Sequence, residues 1–116
     1  MIIDHIAIRA DNIIELAEWY RDTIGARVTH TDKHYIRLST SNSTIAIIDK
    51  KKYPYNHIGV LVDSIEDLPE GVDRVEHRDG TVGVYCKDPE GNYVEFIYYT
   101  EKLRPTFLTY ANSKND

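Results

Sequence analysis

The chain is short of several things at once. It has one cysteine, Cys86, among its 116 residues. No internal disulfide can form, and without a Cys-x-x-Cys pair neither a thiolate zinc site nor a dithiol redox centre is available. Cys86 therefore reads as a small packed residue. Positive charge is scarce as well: 14 Lys and Arg against 19 Asp and Glu leave a formal net charge of -5. That is the opposite of the concentrated basic face that phosphate binding requires, so nucleic acid is excluded as a partner. The basic run Lys50 to Lys52, beside Tyr53-Pro54-Tyr55, reads as a solvated linker. No apolar stretch approaches membrane-spanning length, and the Met1-Ile2-Ile3 opening is interrupted by Asp4. Neither a membrane span nor a signal peptide is expected, and the expected location is cytoplasmic.

What remains is ordinary globular material, 41% hydrophobic and 28% charged with both signs interspersed. A chain of 116 residues is the size of one domain and too short for two, so any duplication must lie inside one fold. A duplication is visible. Asp4-His-Ile-Ala-Ile-Arg-Ala-Asp-Asn-Ile13 lies over Asn56-His-Ile-Gly-Val-Leu-Val-Asp-Ser-Ile65, with His, Ile, Asp and Ile matched. Each segment runs apolar for strand length and then meets Asp-Asn or Asp-Ser, residues that cap helices.

In the first half, Ile13, Leu16, Ala17, Tyr20 and Ile24 recur at helical spacing, Glu15 can close a capping box on Asn12, and Gly25 stops the helix. In the second half Pro69 and Gly71 follow Ile65 to Leu68 closely, so its helix has two turns at most. Strands are expected at Arg27 to Thr31, His34 to Leu38 and Thr44 to Ile48, then at Val72 to His77, Thr81 to Lys87 and Tyr93 to Tyr99. The expected fold is α+β: one domain over residues 1–100 made of two βαβββ modules, about 1–50 and 56–100, followed by a tail at 101–116. Leu103, Phe107, Leu108 and Tyr110 of that tail could cover the cleft or a partner.

Strand alternation selects the chemistry. His5 shares a face with Ala7 and Arg9, His57 with Gly59 and Leu61, and Glu95 with Tyr93 and Ile97. The aliphatic residues between them, Ile6 and Ile8 among these, face the helix side. Glu95 is the most informative residue, because a carboxylate inside Tyr-Val-Glu-Phe-Ile-Tyr-Tyr is costly to bury without a cation or donors. Two imidazoles and one carboxylate are the ligand set of an open facial triad for Fe(II), or of a Mn, Zn, Co or Ni site completed by water. The competing reading makes His5 and His57 half-buried strand residues and pairs Glu95 with Arg9 or Arg104. Three metal-capable residues at equivalent places of a repeat favour the metal. His30 and His34, flanking Asp32-Lys33 in a hairpin, are expected at the surface.

The pattern resembles the vicinal oxygen chelate superfamily, which contains glyoxalases, bleomycin-resistance proteins and extradiol dioxygenases. The resemblance spans about residues 2 to 100. It rests on His5-Ile-Ala-Ile with Trp19-Tyr-Arg-Asp-Thr-Ile-Gly25, on His57-Ile-Gly-Val, and on Asp88-Pro-Glu-Gly-Asn-Tyr-Val-Glu95. It implies a cup-shaped, partly open mixed sheet with His5, His57 and Glu95 as metal ligands. The glyoxalase I and epimerase branches would place one more ligand where Ala46 stands, so three-ligand branches are favoured.

Val75-Glu-His77 through Val84-Tyr85, Asp88-Pro89, Gly91 and Glu95 resembles the extradiol signature over its whole length. That likeness implies Fe(II) as the favoured ion, with Mn(II) or Zn(II) as substitutes, and His77 and Tyr85 as catalytic groups beside the ligands. It departs at Asn42 and Ser43, where a further acid-base histidine is usual. Arg9, Tyr93 and Arg104 are the candidate substrate contacts. The runner-up resemblance is to fosfomycin-resistance thiol transferases, whose phosphonate-holding residues Tyr85 and Arg104 resemble. There, however, a threonine is expected at Ala7 and a serine at Gly83. A metal-free drug-binding dimer is the third reading. A small-molecule substrate and a homodimer are expected, since such a cup leaves sheet edges open. The sequence leaves open whether one chain supplies all three ligands.

Overall fold

Two rounds of the same strand-and-turn plan are laid edge to edge in one sheet. The computed structural model describes residues 1–77 and 80–100. Its elements are β1 (Ile2–Ala10), α1 (Ile13–Ile24), β2 (Arg27–Thr31), β3 (Tyr35–Ser39), β4 (Thr44–Asp49), β5 (His57–Leu61), a 3-10 turn (Ile65–Asp67), β6 (Val75–Glu76), β7 (Thr81–Lys87) and β8 (Tyr93–Tyr99). The fold is α+β, as the alternation and helix signals predict. No helix among the described residues is long and apolar enough to cross a membrane.

Helix α1 forms where its caps dictate. The Asn12 side chain accepts from the Glu15 backbone N–H at 3.0 Å, satisfying one of the free donors of the first turn. At the other end Gly25 takes a left-handed φ of 72°, and its N–H donates to Arg21 O at 3.1 Å. Ile13, Leu16, Ala17 and Tyr20 pack with Ile8, Ala10, Ile36, Leu38, Ile45 and Ile47 in the first-half core. Ile24, expected on the same stripe, is instead 51% exposed and lies outside that cluster.

The sheet order is β2-β3-β4-β1-β5-β8-β7-β6. Within each half the first strand pairs parallel with the last, β1 with β4 and β5 with β8. The halves meet through antiparallel β1 and β5. One consequence governs the site: β1, β5 and β8 are adjacent within a single chain. The residues of the expected triad therefore converge without a partner subunit.

Two expectations about element bounds need correction, and a third holds. The third strand begins at Tyr35 rather than His34. The sixth is only Val75–Glu76 rather than Val72 to His77; its side chains are exposed at the sheet's edge, with no buried face to prolong it. The second-half helix is one 3-10 turn, the outcome that the Pro69 and Gly71 spacing requires. Val62, Leu68 and Val84 are buried there, with Ile65, Val82, Cys86, Phe96 and Tyr98 packed around them, so Cys86 is the packed residue expected. Between this core and α1, no element among the described residues covers Ile6 and Ile58, cross-strand neighbours that are each 43% exposed. The expectation that Ile6 meets the helix fails because α1 reaches only the Ile8–Ala10 end of its strand.

Candidate metal centre

The strand register brings the site residues into rows. His5 lies opposite Gly59, Gly59 opposite Glu95, and Glu95 opposite Tyr85. Ala7, His57 and Tyr93 form the neighbouring row. With glycine between His5 and Glu95, the His5 ring lies over the middle of the first row, and His57, two residues before Gly59 on the same face, reaches it with its Nε2. Gly59 is indispensable to this geometry: a Cβ there would lie 2.0 Å from His5 Cε1, well inside contact distance.

Three donor atoms meet in that space. His5 Nε2 is 3.0 Å from His57 Nε2, and each lies 3.4 Å from Glu95 Oε1. Bonds of about 2.0–2.2 Å to one ion, at angles of about 90–110°, separate donors by about 2.8–3.6 Å. The triangle has that size, so these residues fit a single small divalent ion. Glu95 is 3% exposed, with its other oxygen engaged elsewhere: His77 Nε2 donates to Glu95 Oε2 at 2.8 Å. The two carboxylate oxygens thus have different tasks, Oε1 toward the histidine pair and Oε2 toward His77.

Electrostatics follow from this packing. Burial alone would raise the Glu95 carboxyl, yet hydrogen bonds from His5, His57 and His77 hold it well below the usual carboxylate range. Burial would lower His5, but hydrogen bonds to Asp4 and Glu95 outweigh it and raise the imidazole to about 9. Tyr85 is pushed far above the usual phenol value, first by burial and then by the adjacent Glu95 carboxylate, with which it also hydrogen-bonds. The Tyr85 ring meets His57 edge-on at 5.5 Å and His77 at 6.4 Å.

All three expected ligands, together with His77 and Tyr85, are brought together. Arg9 is placed differently: its Nε donates to Tyr53 O at 2.8 Å and its Nη2 to Lys50 O at 3.4 Å. Its guanidinium fastens the linker, while its own backbone N–H donates to Asn56 Oδ1 at 2.8 Å. Tyr93 stacks on Tyr55 with ring centres 3.6 Å apart, and Lys87 Nζ lies 5.4 Å from its ring centre. Arg104 lies outside the described residues. Ala46, where a fourth ligand would stand, is buried with Ala7 and Ile48 against Tyr35 and Tyr53, and its methyl group brings no ligand atom. His30 is exposed as expected, whereas His34 is partly covered and bonded through Nδ1 to Asp49 Oδ2 at 3.1 Å.

Sequence reasoning missed four contributors. Tyr53 reads as linker yet packs in the cup. Gly59 and Gly83 read only as small strand residues; a Cβ on Gly83 would stand 2.7 Å from both Glu95 Oε2 and His77 Nε2. Asp4 reads only as the first residue of the repeat, and a bulge turns it to the side of His5. For the glycines a signal was present, since an isolated glycine within a strand pattern often marks a close approach of another group.

A paired-module mixed sheet with a His, His, Glu cluster on its inner face defines the class of protein to which this chain belongs. The family is then plain: the chain is a member of the Glyoxalase/Bleomycin resistance protein/Dioxygenase superfamily, whose model matches residues 2–96. No curated protein matches the sequence. Solved structures share the fold at low identity. Methylmalonyl-CoA epimerase from Mycobacterium tuberculosis is similar at 16% identity with a TM-score of 0.65, over 89% of this chain and 91% of that one. A Mn(II)-bound glyoxalase from Novosphingobium aromaticivorans gives 19% and 0.64, over 85% of this chain and 38% of that one. A superfamily member from Vibrio splendidus 12B01 gives 9% and 0.59, over 80% and 95%.

Proposed function

We propose that the protein is a divalent-metal-dependent enzyme in which His5, His57 and Glu95 hold the ion, and that it opens a small oxygen-chelating substrate in the manner of an extradiol dioxygenase. The observation that carries the reading is the donor triangle of 3.0, 3.4 and 3.4 Å around a buried carboxylate whose second oxygen is held by His77. Three protein ligands leave positions for two substrate oxygens and one more small molecule. When bound, the ion supplies Lewis-acid polarisation of the substrate oxygens and, as Fe(II), the redox capacity that dioxygen chemistry demands; Mn(II) and Zn(II) fit the same donors.

The chain's own residues supply the rest. His77 Nε2 carries a proton beside Glu95 and is the group placed to pass one to or from a substrate oxygen. Tyr85, held protonated by burial and by Glu95, donates a hydrogen bond throughout the neutral range. Tyr93, stacked on Tyr55, offers a flat wall for an aromatic ring, and Arg104 is retained as a substrate contact. Arg9 contributes through the linker that sets His57 in place. A homodimer remains part of the reading, supported by the fully exposed edge strand β2; a monomeric sedimentation coefficient would remove it.

The test is reconstitution with Fe(II), Mn(II) or Zn(II) without oxygen, followed by oxygen uptake on a panel of catechols. One dioxygen consumed per catechol by the Fe(II) form alone is the expected result. Binding without oxygen uptake, combined with turnover of a hemithioacetal by the Mn(II) or Zn(II) form, would replace ring opening with glyoxalase-type chemistry. Absence of metal binding would overturn the metal-enzyme reading altogether.

A further inference from the structure

Asp4 precedes a ligand in sequence, and adjacent strand residues normally point to opposite faces. Here they do not. β1 pairs Ile3 with Val60 and then His5 with Gly59, so Asp4 is one extra residue in the register against β5, a β-bulge. The bulge resets the alternation: Ile2 packs with Leu61 and Ile97 on the inner face, and three residues later His5 meets His57 and Glu95 on that same face. Asp4 turns inward as well, is 7% exposed, and sits with its Oδ2 2.8 Å from His5 Nδ1.

We propose that Asp4 is a positioning residue for the metal centre: by accepting from His5 Nδ1–H it fixes the tautomer that leaves His5 Nε2 unprotonated and aimed at His57 and Glu95. The inference rests on the metal-site reading given above. Its physical basis is that an imidazole has two nitrogens and one proton, so a carboxylate acceptor at Nδ1 decides which nitrogen is free to ligate and increases its basicity. The bulge is what makes this contact available to a residue adjacent in sequence. Gly59 then leaves the opposite side of the ring open, and Asp4 and Gly59 between them set both the angle and the depth of His5. The arrangement parallels that of Glu95, whose second oxygen is held by His77. Two of the three ligands therefore each have a dedicated holder on the atom that does not face the cluster.

The experiment compares wild type, Asp4→Asn and Asp4→Leu for Zn(II) affinity by chelator competition and for the visible d–d bands of the Co(II) form. Loss of the carboxylate is expected to weaken Zn(II) binding by about 10- to 100-fold and to move the Co(II) bands, while the metal-free circular dichroism of Asp4→Asn stays that of wild type. A purely structural Asp4 would lower stability and leave the bands of the surviving folded protein in place. Wild-type affinity and unchanged bands in Asp4→Asn would overturn the proposal while leaving the metal reading intact. No Zn(II) or Co(II) binding by wild type would overturn the metal reading and this inference with it. Should both variants fail to fold, the 1H shift of the His5 Nδ1–H in Zn(II)-loaded wild type decides: a strongly downfield proton, as a carboxylate acceptor produces, supports the assignment, and an ordinary imidazole N–H shift defeats it.

Discussion

Gly59 and His5 occupy the same volume: where a side chain at Gly59 would begin, 2.0 Å from Cε1, the His5 imidazole already lies. Backbone and ring are this close because β1 and β5 pair directly at this position. The ligand geometry thus depends on an absence of atoms on the neighbouring strand.

Gly59→Ala should consequently separate fold from site. Forcing one methyl group into a filled position costs about 1–3 kcal/mol, which a urea titration of the metal-free protein would register. Displacement of His5 should lower Zn(II) affinity by more than the stability change alone accounts for. If the variant bound Zn(II) as tightly as wild type, His5 would not be held by this contact.

Gly83 plays the corresponding part for the pair beyond Glu95. An added methyl would stand 2.7 Å from Glu95 Oε2 and from His77 Nε2, whose own separation is 2.8 Å. Gly83→Ala should part them. Contacts that share an atom are not additive, so the loss in Zn(II) affinity from Gly83→Ala should shrink in a His77→Ala background. Equal losses in both backgrounds would show that the methyl acts elsewhere.

Much of this was legible in the chain, and the illegible part has physical causes. The repeat of Asp4–Ile13 on Asn56–Ile65 anticipates the two-fold plan, and strand parity alone puts His5, His57 and Glu95 on one face. Parity fails at Asp4 because a bulge inserts a residue that no hydrophobic pattern betrays, since Ile2 and Ile3 are both apolar. Glycine at 59 and 83 leaves no chemical sign of the ring or carboxylate that fills its place. Tyr53 looks like linker because its burial depends on where the Lys50–Asn56 segment is tied, and that is fixed by Arg9 bonding to two carbonyls. Ile6 looks like core because period-two patterning reports a face and not what covers it.

The cap on α1 offers a contrast far from the site. Asn12→Ala removes the acceptor for Glu15 N–H and should cost about 1 kcal/mol of stability. Zn(II) affinity should not change, because α1 packs on the outer face against Ile36, Leu38, Ile45 and Ile47. A parallel loss of metal affinity would mean that the helix and the ligand strands do not relax independently.

Acidity links stability and metal in opposite directions. In the metal-free protein His5 is raised from 6.5 to about 9, so its contribution is complete below pH 6.5 and is lost as pH rises through about 9. Glu95 is depressed below its ordinary 4.5; its contribution is present above that pH and is lost as pH falls through the lowered value. As far as these two groups decide it, metal-free stability should be greatest between about pH 4.5 and 6.5. Zn(II) reverses the upper limit, since His5 Nε2 ligates only without its proton and each ion bound must displace it. Thermal midpoints with EDTA and with excess Zn(II), measured from about pH 6 to 9, should therefore diverge as pH rises, the EDTA curve falling while the Zn(II) increment grows. In His57→Ala the increment should disappear at every pH; a Zn(II) increment that stayed constant with pH in wild type would show that no protonated ligand is displaced.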